Sequence, residues 1–254
     1  SKNKNYQIYG VTHNNEAYDV PEAKNKVIWQ KADLLDYQSV SKLLKNKEIV
    51  IQAAATTSGS KDIVNRPYIH VTDNAIMNSL LLREAMESKV EHFIFFSCTV
   101  MYKNSPFPQK EKDWDPNQEI NPKYFGVGNT KLYIEKMLEF YSNISQMKTT
   151  AIRHSNIYGP FDKFDLERSH VCGASITKAL LAKNDLSIWG SGEEERDLLY
   201  IDDLIDFVEK VIKNQRNKFR TYNVGSGEKI SINQLVKRIL NISNRVLNVS
   251  HDIS

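Results

Sequence analysis

Short apolar runs alternate with amphipathic helical segments through the first 155 residues, and this alternation is the feature that most limits the fold. The runs have the length and the β-branched or aromatic content of buried strands. They cover residues 6–11, 27–29, 48–53, 92–96 and 149–153. Segments 37–45, behind the cap Asp36, 73–87 and 130–141 carry apolar residues at helical spacing. The order predicts an α/β protein with a doubly wound parallel sheet and helices on both faces.

The pattern is looser after residue 160. Helices are predicted at residues 171–182, 203–213 and 232–239, with short strands at 186–189, 198–201 and 221–224. We therefore expect a Rossmann-like domain over residues 1–160 and a smaller C-terminal region over residues 161–254.

Composition excludes several classes of protein. The 254 residues are 41% hydrophobic, enough for a sizeable core, and the formal charge is only +3. This balance, without a long basic run, argues against binding nucleic acid or an anionic membrane, and no apolar stretch approaches the roughly 20 residues of a membrane helix. Two cysteines far apart in sequence, Cys98 and Cys172, predict the reducing cytoplasm. The histidines share no metal-ligand spacing, so we expect no zinc site.

Glycines are nearly absent from the start of the chain. Gly10 is the only one in the first 58 residues, so the Gly-rich turn that lets a dinucleotide pyrophosphate approach a helix N-terminus is missing. We interpret the first predicted strand as the second of a doubly wound sheet and expect a βα unit before it. A shorter α/β fold with another strand order is the alternative. The sequence also ends soon after a predicted helix without a closing element, so further C-terminal sequence is expected.

A series of motifs in order resembles one family. Residues 97–102 (SCTVMY) end a predicted strand, and residues 153–160 (RHSNIYGP) follow another. They resemble the S-S-x-x-V-Y and R-x-x-N-x-Y-G-P segments of the extended short-chain dehydrogenase/reductase family, the NAD-dependent nucleotide-sugar epimerases and dehydratases. Residues 164–171 (FDLERSHV) and 189–192 (WGSG) are most similar to the GDP-L-fucose synthases of that family.

The resemblance implies roles for individual residues. It implies a cofactor, NADP or NAD, contacted by Asp33, Leu34, Ala53, Ala54, Ala55, Asn74, Lys131, Asn156 and His170. It implies a nucleotide-activated sugar held by Asn156, Lys178, Trp189 and Arg196. Arginine and lysine suit a diphosphate as charge-assisted donors, and tryptophan offers a flat face to a base or a sugar.

Taken alone, several of these residues have simpler interpretations. An isolated Trp189 is more often a core residue than a ligand contact, and Arg196 is more often a solvated charge. Asp202 and Asp203 fit a helix cap better than a pair of catalytic acids.

The chain departs from the family at one decisive position. The family uses Tyr-x-x-x-Lys, in which the ammonium stabilises a tyrosinate that moves a proton. Lys131 is present, but the residue four positions earlier is Val127, which has no proton to donate. Tyr124 or Cys98 could replace the tyrosine, with Ser97 or Thr99 beside it, or His170 could act as base in an altered reaction.

Three functions remain open from the sequence. The first is an NAD(P)-dependent epimerase, dehydratase or reductase of a nucleotide sugar, with GDP sugars favoured by the similarity to GDP-L-fucose synthases. The second is a non-catalytic binder of a nucleotide sugar or dinucleotide. The third is an assembly subunit, since the resemblance implies a homodimer formed through helices 73–87 and 130–141. No acidic residue follows the strand at residues 6–11, which makes NADP at least as plausible as NAD.

Overall fold

The computed structural model describes residues 6–14, 26–56, 66–105, 107–166 and 169–253. A central sheet contains four parallel strands: β3 (Ile49–Gln52), β4 (His92–Cys98), β5 (Lys148–His154) and β10 (Phe219–Val224). They lie side by side in the order β3-β4-β5-β10. The predicted α/β fold with a parallel sheet is confirmed.

A second parallel pair lies at the start of the chain. It consists of β1 (Ile8–Thr12) and β2 (Val27–Lys31). Gly10 gives the Trp29 ring room, because a Cβ on Gly10 would lie 2.4 Å from that ring. Among the described residues, this pair has no hydrogen-bonded neighbour in the central sheet. The expected βα unit ahead of it stays a prediction.

Helices cover both faces of the central sheet. The helices α1 (Tyr37–Leu44), α2 (Thr72–Glu87) and α3 (Phe125–Ile144) lie on one face, and α5 (Ile201–Asn214) lies on the other. Side chains alternate along β4, so Phe93 and Phe95 join the first core and Ile94 joins the second. The first core also contains Val40, Leu82, Ile134 and Leu138, and the second contains Ile152, Leu204 and Val208.

The C-terminal region has a small core of its own. It is built from α4 (Val171–Leu181), β7 (Asp185–Trp189), α6 (Ile232–Ile242) and β12 (Asn248–Asp252), around Ala179, Leu186, Ile188 and Val236. Two short ladders are also present: β6 (Asn156–Tyr158) pairs with β9 (Leu198–Tyr200), and β8 (Glu195–Arg196) pairs with β11 (Ile230–Ser231). Strand β10 belongs to the central sheet and helix α5 packs against that sheet, although both lie beyond residue 160. The division of the chain at residue 160 stays a prediction.

Two elements differ from the sequence prediction. The expectation that nothing closes the C-terminal region is wrong, because β12 pairs in parallel with β7. This strand is exposed along its whole length, so backbone pairing rather than an apolar pattern forms it. Helix α3 begins at Phe125 instead of residue 130: Asn121 caps the turn by accepting from the Lys123 amide, and Pro122 opens it. Within the described ranges, no helix combines the length and the apolar character needed to cross a membrane.

Candidate active site

Lys131 projects from α3 to the carboxyl end of β4. Its Nζ donates a 2.7 Å hydrogen bond to the carbonyl oxygen of Phe96 and lies 4.5 Å from the centre of the Phe95 ring. Burial lowers the pKa of Lys131, while the neighbouring Cys98 and Glu135 act in the opposite direction. A cation is thus held at the edge where open α/β sheets bind their ligands.

The three candidate residues at the end of β4 have different surroundings. Ser97 is fully buried and its hydroxyl donates a 2.6 Å hydrogen bond to Oε1 of Glu135. Cys98 is directed to the opposite face of the strand, and burial raises the pKa of its thiol, which stays protonated near neutral pH. Thr99 follows in the turn and is partly exposed. Ser97 therefore belongs to an internal network, whereas Cys98 lies beside the ammonium of Lys131.

That internal network centres on Arg153 and Glu135. Arg153 donates from Nη2 to Oε2 of Glu135 at 2.6 Å and from Nε to Oε1 at 3.0 Å. Its Nη1 donates to the Tyr102 hydroxyl at 2.7 Å, and that hydroxyl donates to Oδ1 of Asn223 at 2.9 Å. The sequence analysis gave these residues no role. The sequence did mark two of them as candidates, because Glu135 follows Lys131 by one helical turn and Arg153 begins the RHSNIYGP segment.

Val127 occupies the helical position one turn before Lys131. The rise of an α-helix puts Val127 about 6 Å from Lys131 along the axis, and Tyr124 about 10.5 Å away. Tyr124 lies at the N-terminal boundary of α3 with its ring partly exposed, and the Lys123 ammonium is 5.8 Å from the ring centre. Val127 and Lys131 lie on one continuous helix, as the sequence register requires, and the replacement of a tyrosine by Val127 stays a prediction.

Two histidines lie in the surroundings of this site, and His154 is close to both Lys131 and the second histidine, His170. His154 ends β5 and packs edge-on against Phe96, with 6.2 Å between ring centres. Burial lowers the pKa of His154, and the nearby Lys131 and His170 lower it further. His170 is exposed at the N-terminal boundary of α4. The structure thus brings Lys131, Cys98, His154 and His170 into one neighbourhood, and the sequence analysis had omitted His154.

Several residues assigned to the cofactor by resemblance lie in loops after strands, and Asn74 lies on α2. Asp33 follows β2, where Oδ1 accepts from the Leu35 amide, and Oδ2 lies 3.9 Å from Nε2 of His13. Leu34 packs against the first core. Ala53, Ala54 and Ala55 are exposed directly after β3. Asn74 is buried and clamps this loop, since it accepts from the Thr56 amide and donates to the Thr56 carbonyl.

The residues assigned to the sugar nucleotide divide into three places. Lys178 and Trp189 meet, with the ammonium 4.5 Å from the ring centre, and Trp189 is 69% exposed. Arg196 is exposed on β8 and donates only to the carbonyl of Glu195 among its described contacts. Asn156 lies at the start of β6, with its amide and its Nδ2 both donating to the carbonyl of Asp197. The exposure of Trp189 excludes the core interpretation.

Asp197 is a further residue that the sequence analysis missed. Its carboxylate accepts from the Ser155 hydroxyl at 2.9 Å, the Ser226 amide at 2.8 Å and the Gly227 amide at 3.0 Å. Asp197 therefore ties the end of β5 to the loop after β10 and fixes the segment that carries Asn156. Among the described residues, no cluster of three or more acidic, cysteine or histidine side chains could hold a metal ion.

A family model described as the NAD dependent epimerase/dehydratase family matches residues 1–225. The chain belongs to this family. Two curated relatives are a GDP-L-fucose synthase from Sinorhizobium fredii and a GDP-L-colitose synthase from Yersinia pseudotuberculosis. The first is 35% identical over 81% of this chain and 67% of its own length, and the second 27% identical over 84% and 71%.

Solved structures share the fold of this epimerase/dehydratase family member. A UDP-glucose 4-epimerase from Thermotoga maritima superposes with a TM-score of 0.81 at 23% identity, covering 97% of this chain and 78% of the other. A GDP-mannoheptose C4 reductase from Campylobacter jejuni, solved with NADP bound, gives 0.78 at 20% identity, covering 91% and 82%. The family prediction, the fold class and the cofactor class, NADP or NAD, are confirmed.

Proposed function

We propose that this protein is an NAD(P)-dependent enzyme that epimerises, dehydrates or reduces a nucleotide-activated sugar, with GDP sugars as the favoured class. The observation that carries the proposal is the Lys131 ammonium, held on the Phe96 carbonyl beside Cys98 and His154 at the carboxyl end of the sheet. A protein that only binds would not need a desolvated cation next to two proton-bearing side chains there. The similarity to GDP-L-fucose and GDP-L-colitose synthases supports the GDP-sugar class.

The described residues fit the nicotinamide and ribose parts of the cofactor. Lys131 offers an ammonium to ribose hydroxyls, and the exposed loop Ala53 to Ala55 has only methyl side chains, so a flat ligand can approach its backbone. Asn74 keeps this loop in position through Thr56. When bound, the cofactor supplies or accepts the hydride. We assign no residue of this chain to the pyrophosphate, because Gly10 is the only glycine before residue 59.

The sugar nucleotide is assigned to the exposed side of the C-terminal region. The Lys178 ammonium already lies against the Trp189 ring, so a diphosphate near that ring would meet a positive charge. Arg196 is an exposed second cation, whose Nη1 donates to the Glu195 carbonyl. Asn156, at the start of β6, is held in place by its hydrogen bonds to the Asp197 carbonyl. Both cysteines are free thiols, which agrees with the reducing cytoplasm as the proposed compartment.

A non-catalytic nucleotide-sugar binder is the second candidate, and Val127 is the observation that favours it. Loss of a general acid or base costs roughly 10²–10⁴-fold in rate unless another group replaces it. The two candidates agree on ligand binding and differ only in turnover.

The experiment that separates them follows nicotinamide absorbance and product mobility. The wild-type protein is incubated with GDP-mannose, GDP-fucose and UDP-glucose, each with NADP and with NAD. Lys131→Ala is the test variant, and Lys136→Ala is the matched control, since Lys136 lies on the same helix with its side chain exposed. Turnover that Lys131→Ala abolishes and Lys136→Ala retains supports the enzyme. Binding of these sugar nucleotides without any turnover supports the non-catalytic binder.

A further inference from the structure

We propose that His154 is the proton-carrying residue of this site and takes the place of the tyrosine that Val127 replaces, with Nε2 as the reacting atom. The inference rests on the proposed function and extends it to a residue that the family motif does not mark. It begins with strand register. Cys98 and His154 are paired neighbours at the ends of β4 and β5, and paired residues of adjacent parallel strands face the same side of a sheet.

Ring packing supports this placement. Phe96 lies two residues before Cys98 on β4, hence on the same face, and its ring is 6.2 Å from the His154 ring. The carbonyl of Phe96 accepts the hydrogen bond from Lys131. The imidazole and Cys98 therefore face the α5 side of the sheet at the carboxyl ends of β4 and β5. The Lys131 ammonium reaches the same strand ends from the α3 side and is close enough to lower the pKa of His154.

The hydrogen bond of His154 fixes its tautomer. Nδ1 lies 2.7 Å from the carbonyl oxygen of Ser155, and a carbonyl only accepts, so Nδ1 carries the proton. In the neutral ring, Nε2 then has a free lone pair. Among the described residues, Nε2 has no hydrogen-bond partner, so it is available to a substrate.

The surroundings keep this imidazole neutral, so that it can accept a proton. The groups that face it are the Lys131 ammonium from α3, the Cys98 thiol from β4 and His170 from the start of α4. Burial, with smaller contributions from Lys131 and His170, lowers the pKa of His154 below its usual value, so the ring is unprotonated near neutral pH. The other candidates are less suited: the raised pKa of Cys98 leaves a thiol that cannot accept a proton, and Tyr124 is two helical turns from Lys131.

The proton transfer itself is simple. As a sugar hydroxyl is oxidised, its O–H bond breaks, an Nε2–H bond forms and the imidazole becomes imidazolium. The electron pair stays on the oxygen and forms the carbonyl, while the hydride leaves for the nicotinamide dinucleotide of the proposed function. In the reductive direction the same Nε2–H returns the proton to oxygen.

The test uses His154→Asn, because the asparagine Nδ2 can keep the hydrogen bond to the Ser155 carbonyl while the Nε2 base is removed. The control is His251→Asn, a histidine exposed on β12. We expect His154→Asn to lower kcat on a GDP sugar by roughly 100-fold or more, to change NADP affinity by less than about threefold, and to remove the acidic limb of the pH–rate profile. His251→Asn should match the wild type. Wild-type turnover in His154→Asn would overturn the proposal.

A second measurement does not depend on turnover. NMR of the histidine side-chain nitrogens in the wild-type protein, with His154→Asn used to assign the signal, should show a proton on Nδ1 and a shift of the Nε2 signal on titration with NADP. A proton on Nε2 in the neutral ring, or no response to saturating NADP, would overturn the role of His154. If the wild type acts on none of the sugars, the proposed function fails for them, and the nitrogen signals alone decide on His154.

Discussion

Arg153 and Glu135 form an ion pair inside the protein, with side chains only 5% and 6% exposed and 2.6 Å between Nη2 and Oε2. The pair joins β5 to α3 at the level of Lys131, which lies one turn earlier on the same helix. The pair therefore anchors the turn of α3 that follows Lys131 to strand β5.

The first prediction concerns this pair. Glu135→Gln leaves the guanidinium of Arg153 buried without its counter-charge, so we expect the free energy of unfolding to fall by about 3–5 kcal/mol. Urea unfolding of the apo protein measures this. The matched control is Glu139→Gln on the same helix, whose exposed pair with Lys136 should contribute at most about 0.5 kcal/mol. Equal effects of the two substitutions would contradict a buried pair that anchors α3.

The sequence predicted the elements with clear periodicity and missed those formed by backbone pairing alone. Strands β4 and β5 are apolar runs and were placed within a residue or two. Strands β6, β8 and β11 are only two or three residues long, too short to carry a pattern, and β12 is polar throughout. Their partners come from distant parts of the chain, which local pattern does not show.

Sequence motifs predicted some residues of the candidate site. They could not predict the residues whose role depends on their surroundings in the folded protein. The motif led to Lys131 and to the position of Val127. It could not show that Ser97 turns inward to Glu135, because that depends on the strand twist and on the charge that Arg153 supplies. Nor could it distinguish His154 from an ordinary strand residue, since the free Nε2 follows from a hydrogen bond to the next carbonyl.

The second prediction is a loss of stability in mild acid through His92. This side chain is buried, its Nε2 lies 2.7 Å from the Thr150 hydroxyl, and that hydroxyl donates to Gln215. The hydroxyl proton is already used, so Nε2 is the donor and Nδ1 is bare and unpaired. Burial, with the charge of Lys148, lowers the pKa of His92 from 6.5 to about 4.

The direction of the stability change with pH depends on whether the folded or the unfolded state binds the proton. Between the unfolded value of 6.5 and the folded value of about 4, only the unfolded chain takes up the proton, so stability falls as pH is lowered through this window. The loss attributable to His92 is on the order of 3 kcal/mol. Urea unfolding at several pH values should show a shallower acid dependence in His92→Gln than in the wild type, and the exposed His251→Gln should leave the slope unchanged. If His92→Gln leaves the pH dependence of the unfolding free energy unchanged, His92 is not the source of the acid destabilisation.

The third prediction is a homodimer that uses the outer face of α3. Tyr133, Phe140 and Ile144 lie at helical spacing on this helix and are 51%, 56% and 55% exposed, a continuous apolar stripe that a monomer would leave in water. We expect a dimer in light scattering, and a shift to monomer in Phe140→Glu. Lys213→Glu, an exposed charge reversal on α5, should remain dimeric. A monomeric wild type at all concentrations would reject the dimer.

The fourth prediction separates backbone strain from crowding at two glycines, one in the turn after Trp189 and one in the loop after β10. Gly192 and Gly227 both adopt left-handed backbone, with φ of +74° and +78°, but their surroundings differ. A Cβ on Gly192 would lie 2.2 Å from Oδ1 of Asn233, whereas a Cβ on Gly227 meets nothing within 4 Å. Gly227→Ala should therefore cost only the strain, about 1–2 kcal/mol in the free energy of unfolding. Gly192→Ala should cost more, because Asn233 must give up its hydrogen bonds to the Ser191 carbonyl and the Glu193 carboxylate.

Urea unfolding compares the two variants, and quenching of Trp189 fluorescence by GDP-mannose reports on the binding face. If Gly192→Ala costs no more than Gly227→Ala, the contact with Asn233 does not constrain this turn.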